Sequence, residues 1–158
     1  MVSIYDREGI VLYNASCLDV MAEMQDQSVD AIITDLPYGN ETDYDSYDDS
    51  RDNLSALVGS FMPLALRVAK RVAITCGVKN QWLYPEPNWV LSWHTPAGAG
   101  SGPWGFCCWQ PVLVYGADPY LKAGLGRRPD SIVLTESSPR NGHPCPKPYR
   151  AWCRLALL

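Results

Sequence analysis

The run Val29-Asp30-Ala31-Ile32-Ile33-Thr34-Asp35-Leu36-Pro37-Tyr38-Gly39-Asn40 constrains this chain more than any other stretch. Ala31 to Thr34 form a short apolar or β-tolerant segment closed by turn residues, the pattern of a buried strand. The strand ends in a carboxylate, followed by a proline, an aromatic ring and Gly-Asn. In open α/β sheets, residues that do chemistry sit at the carboxyl ends of strands. The plainer alternative is a strand running into a Pro-Tyr-Gly turn that Asp35 merely starts.

The rest of the chain alternates in the same style. Ile10 to Cys17 reads as a first strand, and Asp19 to Met24 as a short helix that Asp19 itself could cap. That order predicts a parallel neighbour for the strand ending at Asp35. Asn40 to Asp52 is polar, acidic and aperiodic, and reads as a mobile surface loop. Leu54, Leu57, Val58, Phe61, Ala65 and Val68 follow helical spacing, with Asp52 or Asn53 as cap and a kink expected at Pro63. Further strands are predicted at Arg71–Cys76, at Asn88–His94 and within Trp104–Gly116, where Pro111 calls for an edge or a bulge. Gly98 to Pro103 reads as a flexible linker, and Asn80 to Pro87 as a loop or short turn. Gly116 to Ser138, with Arg127 and Arg128, reads as a substrate-side loop near phosphates. The fold class is therefore α/β, organised as one domain over residues 1–158.

The turn after the central strand suits one chemistry. The exocyclic amine of adenine or cytosine is a poor nucleophile, because its lone pair is delocalised into the ring. A site that alkylates it must hold both amine hydrogens and push the nitrogen towards tetrahedral geometry. Asp35 can accept one hydrogen and the Leu36 carbonyl the other. Tyr38 can stack on a base drawn out of the duplex, and Pro37 stiffens the turn between them.

Asp35-Leu36-Pro37-Tyr38 resembles the Asp-Pro-Pro-Tyr motif of the amino-methylating DNA methyltransferases, with Leu36 in place of the first proline. Near the other end, His143-Pro144-Cys145-Pro146-Lys147-Pro148 resembles the His-Pro-x-x-Lys-Pro motif of the same family. The aromatic middle, with Trp93 and Trp109 to Gly116, is similar to members of phage and bacterial type. The resemblance implies a partial Rossmann-like methyltransferase sheet with helices on both faces, S-adenosylmethionine as cofactor and double-stranded DNA as partner. It implies catalytic roles for Asp35, Leu36, Pro37 and Tyr38. It also implies cofactor contacts from Asp19, Asp35, His143, Pro144, Lys147 and Pro148. An acid at the first motif position points to adenine N6 rather than cytosine N4. The Phe-x-Gly-x-Gly cofactor loop of that family does not occur in the sequence. The expected domain therefore lacks the C-terminal part of the sheet, and the chain would self-associate or need a second polypeptide. A catalytically incomplete DNA-binding remnant or partner subunit is the rival reading. A carbohydrate-binding module explains the tryptophans but neither motif.

Charge is distributed unevenly. Residues 1–60 carry two basic and thirteen acidic side chains, a net of −11, whereas residues 61–158 carry eleven basic and four acidic, a net of +7. Such asymmetry suggests one face for an anionic partner, with Arg127, Arg128 and Arg140 as candidate phosphate contacts. Lys147, Arg150 and Arg154 belong to the same basic half. Pro87 to Ala117 holds no Asp, Glu, Lys or Arg beyond Glu86 at its border, but its prolines and glycines argue against a membrane span. The first residues form no secretion signal, and the six cysteines have no metal-binding spacing, so a cytoplasmic protein with reduced thiols is expected. Five of the six tryptophans lie between residues 82 and 109; they are expected mainly to fill the core, and otherwise to stack on bases.

Overall fold

A computed structural model describes residues 3–95, 100–134, 136 and 146–157. Its centre is a five-stranded mixed sheet. In chain order the strands are β3 (Ile32–Asp35), β6 (Val72–Thr75), β7 (Trp89–His94), β10 (Trp109–Tyr115) and β11 (Ser131–Val133), and in space they lie β11-β7-β10-β6-β3. β3 pairs parallel with β6, and β11 parallel with β7. β10 runs antiparallel between β6 and β7. The carboxyl ends of β3, β6, β7 and β11 thus share one end of the sheet with the start of β10. β3 forms an outer edge among the described residues.

Helices cover both faces, as expected. The side chains of β6 and β10 alternate between the faces. Val72, Ile74, Leu113 and Tyr115 join Leu54, Val58, Phe61 and Ala65 of α2 (Arg51–Val68) in one core. α1 (Cys17–Glu23) adds Met21 to that core. On the other face Ala73, Val112, Trp93 and Ile132 meet Ala151 and Leu155 of α4 (Tyr149–Ala156). The first turn of α4 has no side-chain cap of its own, and Glu136 accepts the Arg150 N–H at 2.8 Å.

Several sequence expectations are corrected. Ile10 to Cys17 is not a strand of the main sheet. β2 (Ile10–Leu12) instead folds back on β1 (Tyr5–Arg7), because Glu8 and Gly9 adopt φ of 55° and 76°, the left-handed pair that closes a two-residue hairpin. β6, not this segment, is the parallel neighbour of β3. The cap of α1 is Ser16, which accepts the Leu18 N–H, and Asp19 lies in the first turn. The cap of α2 is Ser50, which accepts the Asn53 N–H, and the helix continues through Pro63. The acidic stretch is ordered as a small hairpin of β4 (Asp43–Tyr44) and β5 (Tyr47–Asp48). The segment expected to be a linker contributes β8 (Ser101–Gly102), which pairs with β9 (Gly105–Phe106). Asn80 to Pro87, by contrast, is as expected: a loop holding one 3-10 turn, Gln81–Leu83. Gly116 to Ser138 holds α3 (Pro119–Lys122) and β11 rather than one loop.

Candidate active site

Parallel pairing sets Asp35 opposite Thr75 at the carboxyl ends of β3 and β6. By strand alternation Asp35 shares the face of Ile33, and Thr75 that of Ala73, the face covered by α4. The Thr75 hydroxyl donates to Asp35 Oδ1. The Tyr38 hydroxyl lies 2.8 Å from the same oxygen and 2.9 Å from Gln110 Oε1. A phenol has one hydrogen, so it donates to one of the two at a time. Leu36 points the other way, into the α2-side core, which holds the turn by its apolar end.

Lys147 enters from the other motif. Its Nζ stands 3.1 Å from Asp35 Oδ2 and 4.9 Å from the centre of the Tyr38 ring. Pro146 and Pro148 flank it, and Pro148 is the residue from which α4 starts. The Lys147 and Asp35 side chains are 21% and 25% exposed, so the pair is largely shielded from solvent yet reachable. Burial, and then the Asp35 carboxylate, pushes the Tyr38 phenol well above its ordinary range. Its hydroxyl therefore stays protonated and remains a donor at neutral pH. Burial, again followed by Asp35, pushes the Cys76 thiol up to about 12, which makes it an unreactive neighbour.

Two buried polar side chains fix the backbone that carries Tyr38. Asp49, 2% exposed, accepts the N–H groups of Gly39, Asn40 and Thr42 at 2.7, 3.1 and 3.1 Å. Asn80 donates to the carbonyls of Tyr38 and Gly39 at 2.7 and 3.1 Å. Gly39 adopts φ of +65°, and a Cβ there would lie 2.9 Å from Asn80 Nδ2 and 3.2 Å from Arg51 Cα. Only glycine fits.

The residues singled out from sequence are distributed as follows. Asp35, Pro37, Tyr38 and Lys147 converge, with Leu36 anchoring the turn and Pro148 adjoining Lys147. Asp19 stands exposed in the first turn of α1. His143, Pro144 and Arg140 lie outside the described residues. Arg127 and Arg128 line a cavity of about 640 Å³ with Arg71, Asn88 and Gly116, at the amino ends of β6 and β7 and the carboxyl end of β10. That is the opposite end of the sheet from Asp35. Arg128 is also engaged: it stacks 3.6 Å from the Tyr120 ring centre, pairs with Asp118 at 3.7 Å and donates to the Leu157 carbonyl at 2.8 Å.

Thr75, Gln110, Asn80 and Asp49 are the members of the arrangement that sequence reasoning passed over. Thr75 and Gln110 were legible in principle, as polar residues at the ends of apolar strand runs. Asn80 and Asp49 carry no such mark.

No protein-family model and no curated protein sequence matches the chain. Among solved structures, it superposes on the PvuII DNA methyltransferase (cytosine-N4-specific) with a TM-score of 0.54 and 11% identity, over 91% of this chain and 61% of that one. A protein described as a DNA modification methylase from Thermus thermophilus aligns at 19% identity over 71% of this chain and 57% of that one. Its TM-score of 0.36 is too low to argue from. The chain thus spans about three fifths of the length of these structures. What the first likeness shows is a methyltransferase-like α/β fold.

Proposed function

We propose that this chain is a site-specific DNA methyltransferase that transfers a methyl group from S-adenosylmethionine to the exocyclic amine of a flipped base, with adenine N6 favoured over cytosine N4. The observation that carries this reading is the meeting of Asp35, Tyr38 and Lys147 at one point. Lys147 lies over a hundred residues from the other two in sequence. A structural turn needs no such convergence of two motifs.

The donor set fits the methionine end of the cofactor, which carries a carboxylate and an ammonium. Lys147 and Asp35 present the two complementary charges side by side. His143 and Pro144 lead into that segment in sequence, and Asp19 is the acid of the short helix before the motif. When bound, S-adenosylmethionine supplies the electrophilic methyl group. Asp35 accepts one amine hydrogen: each carboxylate oxygen has two lone pairs, so Oδ2 can serve an amine beside Lys147. The Leu36 carbonyl accepts the second. Thr75 and Tyr38 hold the carboxylate in place meanwhile. A base stacked on the Tyr38 ring competes with the Lys147 ammonium for that ring, which it now approaches to 4.9 Å. Arg140, Arg127 and Arg128 are the candidate phosphate contacts of this reading, the latter two lying at the opposite end of the sheet from Asp35.

The test is methyl transfer from labelled S-adenosylmethionine to mixed-sequence duplex DNA, followed by digestion to nucleosides. Asp35→Ala and Asp35→Asn should each abolish transfer while leaving the circular dichroism of the chain unchanged. Turnover retained in either variant overturns the assignment of Asp35. N6-methyladenine is the expected product, and N4-methylcytosine would reverse the choice of base.

A second reading is favoured by the open edge of β3 among the described residues. Such an edge presents unpaired backbone groups to another strand. On this reading the chain is a partner subunit, complete only with a second polypeptide or a second copy. Weak cofactor binding by the isolated chain, together with self-association in light scattering, would select it. Turnover by a pure monomer would remove it.

A further inference from the structure

The described residues between β7 and β10 take no part in the cluster around Asp35. They form a ribbon. It continues the antiparallel pair beyond the sheet: Thr95 N–H donates to the Cys108 carbonyl and Cys107 N–H to the Gly100 carbonyl, both at 2.9 Å, before β8 and β9 close the hairpin. Gly102-Pro103-Trp104-Gly105 forms its tip. Pro103 sets one φ of the turn, and Gly105 takes φ of +123° with no neighbour within 4 Å. Backbone conformation, not crowding, calls for glycine there. Trp104 is fully exposed at 101% and Phe106 at 81%. Neither has a core to fill.

The ribbon projects from the end of the sheet that holds Asp35. Asp35, Thr75, Val112 and Leu91 lie level across four strands. From Val112 back to Gly105 the chain rises at most roughly 23 Å, and β10 stands about 10 Å to the side of β3. The tip therefore lies within roughly 25 Å of Asp35, close enough for one duplex to touch both. Its chemistry also suits DNA. No Asp, Glu, Lys or Arg occurs from Pro87 to Ala117, so nothing on the ribbon repels phosphate, unlike the acidic hairpin β4–β5. A two-stranded ribbon fits the major groove, and apolar side chains inserted between base pairs unstack and kink a duplex.

We propose that the hairpin of β8 and β9 is a DNA wedge: it enters a groove of the bound duplex, and Trp104 inserts into the base stack near the target, with Phe106 packing behind it. This rests on the methyltransferase reading and adds to it the element that opens the duplex.

The test compares the wild-type chain with Trp104→Ala, Phe106→Ala and Trp104→Phe. The probes are a fluorescein-labelled mixed-sequence duplex and the same duplex with one bulged nucleotide, titrated at several salt concentrations. The wild type should bind the bulged duplex more tightly, because the stack is already opened. Trp104→Ala should lose roughly tenfold in affinity for it, and Trp104→Phe should keep most of the preference. The salt dependence should not change, since an indole releases no counterions. Both side chains are exposed, so unfolding midpoints should match the wild type. Unchanged affinity in Trp104→Ala, or a reduced salt slope, overturns the wedge. An altered sedimentation coefficient with unaltered DNA binding makes the hairpin a protein contact instead and also overturns it. A wild type that binds neither duplex sinks the methyltransferase reading, and the wedge with it. A wild type that binds DNA while the variants match it sinks the wedge alone.

Discussion

Asp45 and Asp49 belong to one acidic stretch and do unlike work. Asp45 is exposed, whereas Asp49 is buried and gathers three backbone N–H groups behind Tyr38. An amide has one acceptor oxygen where a carboxylate has two. Asp49→Asn therefore turns an NH2 towards backbone donors, which lose their acceptor. It should cost about 1–3 kcal/mol, against less than about 0.5 kcal/mol for Asp45→Asn, both read from urea unfolding midpoints. Equal effects would mean that Asp49 does not hold the turn. Composition predicted only a mobile surface loop here, because burial of one carboxylate among many leaves no trace in a run of acids. Asp35, Tyr38 and Lys147 were legible for the opposite reason: prolines and an aromatic mark them at fixed spacing. The reading of Arg127 and Arg128 as phosphate contacts assumed that charge alone places a residue. Tertiary structure engages Arg128 with Tyr120, Asp118 and Leu157.

At the scale of elements, hydrophobic periodicity located α2, β6 and β7, and errors gathered at their ends. The first candidates for the α2 cap were Asp52 and Asn53, but Ser50 is the residue with extended backbone, ψ of 157°, and a hydroxyl on the Asn53 N–H. Ser50→Ala should destabilise by about 1 kcal/mol. Asp52→Ala, which removes only a favourable charge in the first turn, should cost about 0.3–1 kcal/mol. Thermal unfolding of the two variants tests this, and the reverse order would restore Asp52 as the cap. Pro111 was expected at an edge or bulge, yet it is buried in β10, between two neighbours. The rule fails for a local reason. The Pro111 carbonyl accepts the Cys76 N–H, so its missing N–H also faces β6, one residue past the end of that strand. Little of the ladder is lost. The tryptophans divided similarly: Trp93 is 3% exposed in the core, but Trp82, Trp89 and Trp104 are outside it. Composition cannot tell a core indole from a presented one.

At the scale of the molecule, the motif order foretold a parallel strand ending in an acid and a lysine segment returning to it, but not the order of the strands. Sheet order depends on long-range pairing that single-strand patterns do not encode, and so the antiparallel β10 between β6 and β7 was not foreseen. The packing has a consequence for the whole chain. Burial is the first cause of raised ionisation in Tyr38 and in three groups of the α2-side core, Cys76, Tyr84 and Tyr115. Cys76 and Tyr115 are each pushed up to about 12, from ordinary values of 9.0 and 10.0. A group whose folded value lies above its unfolded one contributes stability that is fully present below the unfolded value and is lost as pH rises towards the folded one. The fold should therefore hold its stability from neutral pH to about 9 and lose it steadily above that. Cys76 alone should account for a loss on the order of 2 kcal/mol between about pH 9 and about pH 11. Urea midpoints measured in steps across this range give the slope directly. Cys76→Ala should start less stable at neutral pH, having lost buried sulfur, and then fall less steeply. The two curves should converge as pH rises. Parallel curves would place the alkaline loss on the tyrosines, and a flat wild-type profile to about pH 11 would mean that these groups ionise without opening the core.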